Sequence, residues 1–272
     1  MQLVSSIKMK KAQQKAIESK PYRELLSFII QKVISSGLKE SYSSLLSSSN
    51  VNAEKDLIIL ITSNKGLCGA FNSNLFRFLI KEIDFSKVSF IICGTKGINF
   101  VKKMGGEIIA DFSYSNYKEE KEKKVSAIFK TALDLFIEGQ YKNVFLIHNH
   151  LLSTIQFEPI KKRIFPIVID EAEFKLGETK KAKMEYLIEP SPEKIIDNAL
   201  KSAMEVEIYG ALIESEAAEH SARMLAMKNA TDNASNIVYN LTLLHNKVRQ
   251  EKITHELLDM VTAKQSAVKL SS

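Results

Sequence analysis

The fold is decided by the C-terminal stretch from Glu193 to Ser272, which reads EKIIDNALKSAMEVEIYGALIESEAAEHSARMLAMKNATDNASNIVYNLTLLHNKVRQEKITHELLDMVTAKQSAVKLSS. It contains no proline and a single glycine, Gly210, so one uninterrupted helix is predicted. At about 1.5 Å per residue, such a helix is roughly 120 Å long, several times the ~30 Å diameter of a small domain. We therefore expect it to extend beyond its own domain and to need another helix or other subunits along its outer length.

Apolar residues along this helix are spaced like the seam of a coiled coil. A first stretch recurs in steps of three and four residues: Ala234, Ile237, Leu241, Leu244 and Val248. The polar run from Arg249 to Lys252 then interrupts it, and a second stretch resumes in a new phase: Ile253, Leu257, Leu258 and Val261. Small residues lie before and within the first stretch: Ala217, Ala218, Ala222, Ala226, Ala230, Ala234 and Ser235. They allow a second helix to approach closely.

Composition excludes several classes of protein. The chain has 272 residues, 45% of them hydrophobic, which is enough for one core and an appendage. The longest apolar run, Leu57 to Ile61, is far shorter than the roughly 20 residues of a membrane span and suits a buried strand. The two cysteines, Cys68 and Cys93, lack the spacing of a zinc site or a disulfide framework and fit a reducing compartment. The first residues lack the apolar core of a secretory signal.

The net charge of +6 is unevenly distributed along the chain. Residues 1–50 hold eight Lys or Arg and three acidic residues, whereas residues 193–272 hold nine and eleven. The basic residues come without clustered arginines, interleaved aromatic residues or a known binding motif, so nucleic acid is not an expected partner. A solvated helix face or an acidic protein partner explains the basic segment better.

Three blocks are predicted, with boundaries at 1–50, 51–190 and 191–272. The first is a long helix from Met1 to about Lys39, which Pro21 can kink, followed by a polar loop from Ser47 to Lys55. The third is the long C-terminal helix, which begins after Pro190 and Pro192.

The middle block alternates strands with helices. A buried strand is predicted at DLIILIT, further strands at VSFIICG and NVFLIH, and a short strand at EIIADF. Helices are predicted at FNSNLFRFLIKEI, GTKGINFVKKM and Glu119 to Ile137, and TIQFEPIKKRIFPIVI is interpreted as a ribbon pair. This alternation predicts an α/β domain with a mainly parallel sheet.

We find no catalytic, cofactor-binding or metal-binding pattern in the sequence. The strand-to-helix turn ITSNKGLCGAFN (Ile61–Asn72) contains GLCGAF, which matches neither phosphate-binding motif, and Cys68 is expected to be a buried apolar residue there. His148 and His150 are expected to point to opposite faces of a strand and so not to share a metal ion. The remaining histidines are spread along the long helix: His220, His245 and His255. We therefore expect no enzyme activity and no cofactor.

Two blocks of sequence carry a resemblance to a known family. HSARMLAMKNATDNASNIVYNLTLLHNKVRQEKITHELLDMV (His220–Val261) and ITSNKGLCGAFNSNL (Ile61–Leu75) closely resemble the γ subunit of F-type ATP synthases, as does the start, MQLVSSIKMKKAQ. The resemblance implies a central-stalk rotor with a Rossmann-like α/β foot domain. The N- and C-terminal helices are then a long antiparallel coiled coil. Members usually begin with a further stretch of N-terminal helix, so Met1 falls where an internal methionine is expected.

The resemblance also implies partners and a place in the cell. One such subunit lies within three α and three β subunits, beside an ε subunit and the membrane c-ring, and transmits rotation of the ring to the catalytic β subunits. We therefore expect a peripheral protein on the cytoplasmic face of the bacterial inner membrane, with the mitochondrial matrix side as the alternative.

Particular positions acquire roles from the resemblance. Residues that match the polar contact to β, called the catch, are Arg249, Gln250, Thr254, Glu256 and Asp259. Leu258 stands where the family often has Thr, so one contact is expected to be missing. Residues that match c-ring contacts are Tyr186 and Glu189, and basic residues that can face an acidic lever on β are Lys8, Lys10 and Lys11.

The residues taken alone leave two other classes open. An α/β enzyme with a helical dimerisation arm would bind a nucleotide or turn over a substrate by itself. A plain coiled-coil scaffold would form a symmetric homodimer.

Overall fold

The computed structural model describes residues 1–35, 53–113, 121–153, 156–167 and 192–270. The chain divides into two compact units, Met1–Leu225 and Ala226–Ser272, which are described separately. The expected loop from Ser47 to Lys55 falls largely outside the described residues, and the three-block division made from the sequence remains a prediction.

The described residues form five helices, besides a short 3-10 helix, and five strands. The helices are α1 (Gln2–Ser35), α2 (Phe71–Glu82), α3 (Thr95–Lys103), α4 (Lys121–Ile137) and α5 (Pro192–Leu270). The strands are β1 (Asp56–Ile61), β2 (Val88–Cys93), β3 (Glu107–Asp111), β4 (Val144–Leu151) and β5 (Phe157–Phe165). A short 3-10 helix, Phe85–Lys87, precedes β2.

The strands form one sheet in the order β3-β2-β1-β4-β5. Strands β1 to β4 are parallel: Ile59 of β1 pairs with Ile91 of β2 on one side and with Leu146 of β4 on the other. Strand β5 is antiparallel to β4, with Ile160 opposite His148. The expected α/β domain with a mainly parallel sheet is confirmed. The interpretation of TIQFEPIKKRIFPIVI as a ribbon pair is wrong for its described part, because Phe157–Phe165 forms a single edge strand paired with β4.

Both faces of the sheet are covered, which explains the unbroken apolar run in β1. Successive side chains of a strand point to opposite faces. Leu57 and Ile59 therefore join one core with α4 and the first part of α5, whereas Ile58 and Leu60 join a second core with α2 and α3. All four side chains are fully buried.

Helix α1 packs antiparallel to the part of α5 that belongs to the first unit. Its buried residues, Ser5, Met9 and Ala12, follow helical spacing. Lys8, near the start of α1, is close enough to affect the ionisation of Glu219, whereas Tyr22 lines a cavity of about 660 Å³ together with Ser202 of α5. The expected antiparallel pair of terminal helices is confirmed here. Helix α1 continues through Pro21.

Small residues let α5 approach the turn between β1 and α2. Ala218 and Ala222 form a third apolar cluster with Cys68 and Phe71, and Ala218 is fully buried. The expectation that Cys68 is a buried apolar residue is confirmed, because its side chain is 3% exposed.

This packing predicts that substitution of two alanines of the same helix has different effects on stability. Ala218→Leu should destabilise the isolated full-length chain by about 1–3 kcal/mol, because the added atoms have no space beside Phe71. Ala230→Leu, at an exposed position, should change stability by less than about 0.5 kcal/mol. Urea denaturation measures both, and equal losses would contradict the described packing.

Candidate functional site

The second unit presents a long exposed helical surface. Every residue of α5 from Lys228 to Lys264, here called the distal surface, is exposed. Apolar seam residues are more than half exposed, with Ile237 at 59%, Leu241 at 58% and Leu244 at 57%. A helix cannot gain stability from an apolar stripe that stays in water, so the distal surface is suited to burial against other chains.

The five residues with a sequence-derived role on this surface are all exposed. Two of their side chains, those of Thr254 and Glu256, contact groups of the same helix, and so do the backbone carbonyl groups of Gln250 and Asp259. Thr254 Oγ1 donates to the Gln250 carbonyl oxygen at 2.9 Å, and Thr262 Oγ1 donates to the Asp259 carbonyl oxygen at 2.9 Å. Glu256 lies 3.9 Å from the Lys252 ammonium. Within the described residues, the Arg249 guanidinium has no hydrogen bond or ion pair. Its charge is available to a partner.

The other sequence-derived positions are partly described. Lys8, Lys10 and Lys11 are exposed on α1. Tyr186 and Glu189 lie outside the described residues.

In the first unit, a group of polar side chains fastens α5 to the carboxyl edge of the sheet. We call this group the helix anchor, and its members on α5 are Glu207, Glu214, Glu216, Glu219 and Arg223. Their partners come from β4, β5, α4 and the turn after β1.

At the centre of the helix anchor, Glu214 contacts two histidines of β4. Its Oε2 atom is 2.7 Å from His150 Nδ1 and 3.7 Å from His148 Nε2. Burial raises the pKa of Glu214, but hydrogen bonds and charges from His148 and His150 outweigh burial and lower that pKa to about 2. Glu214 is therefore an ionised carboxylate on the inner side of α5.

The expectation that His148 and His150 point to opposite faces is wrong. Residues two apart in a strand lie on the same face, and β4 is extended through both histidines. Asn149 between them points to the other side, where its Nδ2 donates to the Phe71 carbonyl oxygen at 3.0 Å.

Two further contacts between elements and one ion pair within α5 complete the helix anchor. Glu216 pairs with Lys121 of α4, and Glu207 accepts from Lys162 of β5 at 2.9 Å. Arg223 bonds Glu219 at 2.6 Å.

Arg223 also reaches the turn between β1 and α2. Its guanidinium donates to the carbonyl oxygens of Lys65 at 3.3 Å and Gly66 at 3.4 Å. Burial raises the pKa of Glu219, and the hydrogen bond and charge of Arg223 oppose that shift.

The helix anchor occupies the place where parallel α/β sheets usually bind ligands. That place is the carboxyl edge between strands at which the order of the sheet reverses, here β1 and β4. Glu214, Ala218 and Phe71 fill this edge with protein atoms. The turn after β1 is closed by its own side chains, since Asn72 donates to Ser63 Oγ at 2.7 Å. A tight turn, as expected from the sequence, is what these contacts produce.

The sequence of this chain is similar to those of known proteins. The sequence profile described as ATP synthase matches residues 1–266. The chain belongs to the ATP synthase γ chain family. It is 32% identical over 268 residues to the ATP synthase gamma chain of Nitrosomonas europaea, covering 96% of this chain and 90% of that one. It is 33% identical over 273 residues to that of Verminephrobacter eiseniae, covering 98% and 91%.

Solved structures of ATP synthases contain chains with the same fold as this chain. The Tetrahymena thermophila mitochondrial ATP synthase central stalk/c-ring contains a chain with a TM-score of 0.56 at 22% identity, covering 85% of this chain and 97% of that one. A chain of the Euglena gracilis mitochondrial ATP synthase has a TM-score of 0.59 at 18% identity, covering 95% and 94%.

Membership of the γ chain family settles the class of the protein. The chain is a non-catalytic stalk subunit of ATP synthase, as the resemblance implied, and neither a free-standing α/β enzyme nor a plain scaffold. No helix among the described residues has an apolar stretch long and uncharged enough for a membrane span.

The helix anchor was missed in the sequence. The spacing of His148 and His150 was the available signal, because an i, i+2 pair on a strand defines one polar face. Glu219 and Arg223 are four residues apart, the spacing of a helical ion pair. Their partners in the sheet are distant in sequence, and no local pattern indicates them.

His220 lies next to the helix anchor, and its lowered pKa predicts that the stability of the fold depends on pH. Burial lowers its pKa to about 4; Glu216 acts against this shift, and Arg223, Lys8 and Lys121 contribute to it. The unfolded chain therefore binds more protons at this group between pH about 6.5 and about 4, and stability is lost as pH falls through that window.

The variant His220→Asn should remove this contribution, which is at most about 3 kcal/mol. Urea denaturation at pH 7, 5.5 and 4 measures the free energy of unfolding of both proteins. As the pH falls, wild type should lose more unfolding free energy than the variant. His245→Asn, at an exposed position of the distal surface, is the control. A pH-independent difference for His220→Asn would contradict the burial of a neutral imidazole.

Proposed function

We propose that the chain is the rotor that carries rotation from a membrane ring to three catalytic β subunits of a proton-translocating ATP synthase. The observation that carries this proposal is the distal surface, whose apolar seam and polar interruption are both exposed. A helix of this kind is suited to lie within a sleeve of other subunits.

Torque transmission requires a stiff joint between the foot domain and the shaft. The helix anchor supplies several attachments spread along α5 from Glu207 to Arg223, about four turns of helix. Two of its acids, Glu214 and Glu219, are shielded from water, where charge pairs are less screened than at the surface. A load on α5 is thus shared between β4, β5, α4 and the turn after β1.

A rotor must also act differently on chemically identical β subunits. A shaft biases each subunit only through contact energies that differ between its faces. The first apolar stretch ends at Val248, and Arg249 and Gln250 follow immediately. Turning the shaft would therefore replace an apolar contact by a polar one at a given subunit.

The resemblance to the γ subunit family assigns individual contacts. We assign the catch on β to Arg249, Gln250, Thr254, Glu256 and Asp259, with Leu258 in place of one polar contact. Lys8, Lys10 and Lys11 would meet an acidic lever on β, and Tyr186 and Glu189 would meet the c-ring. The partners are then α, β, ε and the c-ring, with one γ-type chain per three α and three β.

The bacterial sources of the similar proteins support a location at the cytoplasmic face of the inner membrane, as a peripheral part of the complex. Rotation of the ring by protons at that membrane would drive the shaft.

The assignment of the catch predicts that Arg249→Leu leaves the folding of the isolated chain unchanged and impairs the assembled complex. The isolated chain should keep its stability within about 0.5 kcal/mol, because Arg249 is exposed and unpaired within the described residues. A hydrogen bond to a charged group contributes about 1.5–3 kcal/mol. Rotation-coupled ATP hydrolysis by the assembled complex should therefore fall roughly 10- to 100-fold.

Lys247→Leu is the matched control, because it makes a similar change of charge two residues away, about 200° around the helix. It should preserve coupled hydrolysis. Loss of thermal stability in isolated Arg249→Leu with full activity after assembly would show that Arg249 is a structural residue and that the catch is wrongly assigned.

A further inference from the structure

We propose that His148, His150 and Glu214 form a binding site for a divalent transition-metal ion of the Zn²⁺ type, which would clamp α5 to β4. The proposal concerns the helix anchor and goes beyond the role of the chain as a stalk subunit.

The three side chains converge on one point. One ligand atom from each lies within 4.8 Å of the other two, with Glu214 Oε2 at 2.7 Å from His150 Nδ1 and 3.7 Å from His148 Nε2. Tetrahedral Zn²⁺, with bonds of about 2.0–2.2 Å, places its ligand atoms roughly 3.4 Å apart. The two distances from Glu214 lie on both sides of that value, and the ligand atoms of the two histidines are within 4.8 Å of each other, so side-chain rotations would be needed to bring the three atoms into position.

The backbone holds two of the ligands in place. His148 and His150 lie on one face of β4, where each is paired with β5 through the ladder, opposite Ile160 and Glu158. Glu214 projects from α5, whose small residues bring it close to the sheet. The site is therefore built on a strand and a helix, which position ligands more accurately than loops do.

The burial of His148 is a second and independent observation. Its side chain is 2% exposed, and its Nδ1 atom has no hydrogen-bond partner within the described residues. A buried imidazole with an unsatisfied nitrogen is costly in a protein interior. Metal coordination would use Nε2, the nitrogen that faces Glu214, and would offset part of the cost of burying the ring, while Nδ1 would keep its proton and stay unpaired.

The donor set selects the class of ion. Two imidazoles and one carboxylate suit Zn²⁺, Co²⁺ or Ni²⁺, whereas Mg²⁺ and Ca²⁺ prefer oxygen ligands alone. Three protein ligands leave a fourth position for water. His150 is 39% exposed, so an ion can enter from its side.

Such an ion would join residues that are distant in sequence and belong to the two elements that transmit load. Because the site exists only in the folded chain, ion binding would stabilise that chain.

The test is a titration of tag-free, chelator-treated full-length chain with Zn²⁺, followed by calorimetry and thermal unfolding. We expect one equivalent to bind and Tm to rise with Zn²⁺ concentration, with no rise for Mg²⁺ at the same concentration. Co²⁺ in place of Zn²⁺ should give the intense visible absorption of a four-coordinate ion.

Three variants locate the ion. His150→Ala and Glu214→Gln should each weaken Zn²⁺ binding by about 100-fold or more, since even outer-shell changes cost 10- to 100-fold. His255→Ala removes an exposed histidine of the distal surface and should bind as wild type does. Glu214→Gln keeps the size of the side chain, so it carries the test if the alanine variant does not fold.

Wild-type affinity in Glu214→Gln would overturn the proposal. So would the absence of a stoichiometric Zn²⁺ effect on wild type, an equal loss in His255→Ala, or the weak Co²⁺ absorption of a six-coordinate ion.

Discussion

The attachment of one helix to the carboxyl edge of the sheet is the constraint on which the rest of the structure depends. Helix α5 begins at Pro192 and continues to Leu270, and its first part, as far as Leu225, lies in the same compact unit as the sheet. The apolar core with α4 supplies the burial, but apolar contacts are non-directional. The contacts of Glu207 with Lys162, of Glu214 with the β4 histidines and of Arg223 with the turn after β1 fix the position of α5 along and around its axis.

This attachment also explains how a fold typical of nucleotide-binding enzymes serves in a stalk subunit. In such sheets the carboxyl edge between the diverging strands is open to ligands. Here Ala218 and Ala222 allow α5 to lie against the turn after β1, and Arg223 bonds the carbonyl oxygens of that turn. In this chain, α5 occupies the edge of the sheet at which other proteins of this fold bind ligands.

Much of the fold follows from local sequence, and most of the helix anchor does not. The run Leu57 to Ile61 indicates a strand buried on both faces, and the absence of proline after Pro192 indicates the long helix. Both are local properties of the chain. Lys121 and Glu216 are 95 residues apart, and their pairing depends on how α4 and α5 cross the sheet. The shared face of His148 and His150 is also a local property, because residues two apart in a strand point to the same side, and the expectation of opposite faces is therefore wrong for a local reason.

The central claim is that the helix anchor keeps the sheet domain attached to the first part of α5 while the chain rotates, and a rotation assay of the assembled complex tests it most directly. Lys81→Cys on α2 places a label on the sheet domain at an 82% exposed side chain, while Cys68 and Cys93 are buried. With the α and β subunits fixed to a surface, the label should rotate in one direction while ATP is hydrolysed. A stationary label during sustained hydrolysis would contradict the account.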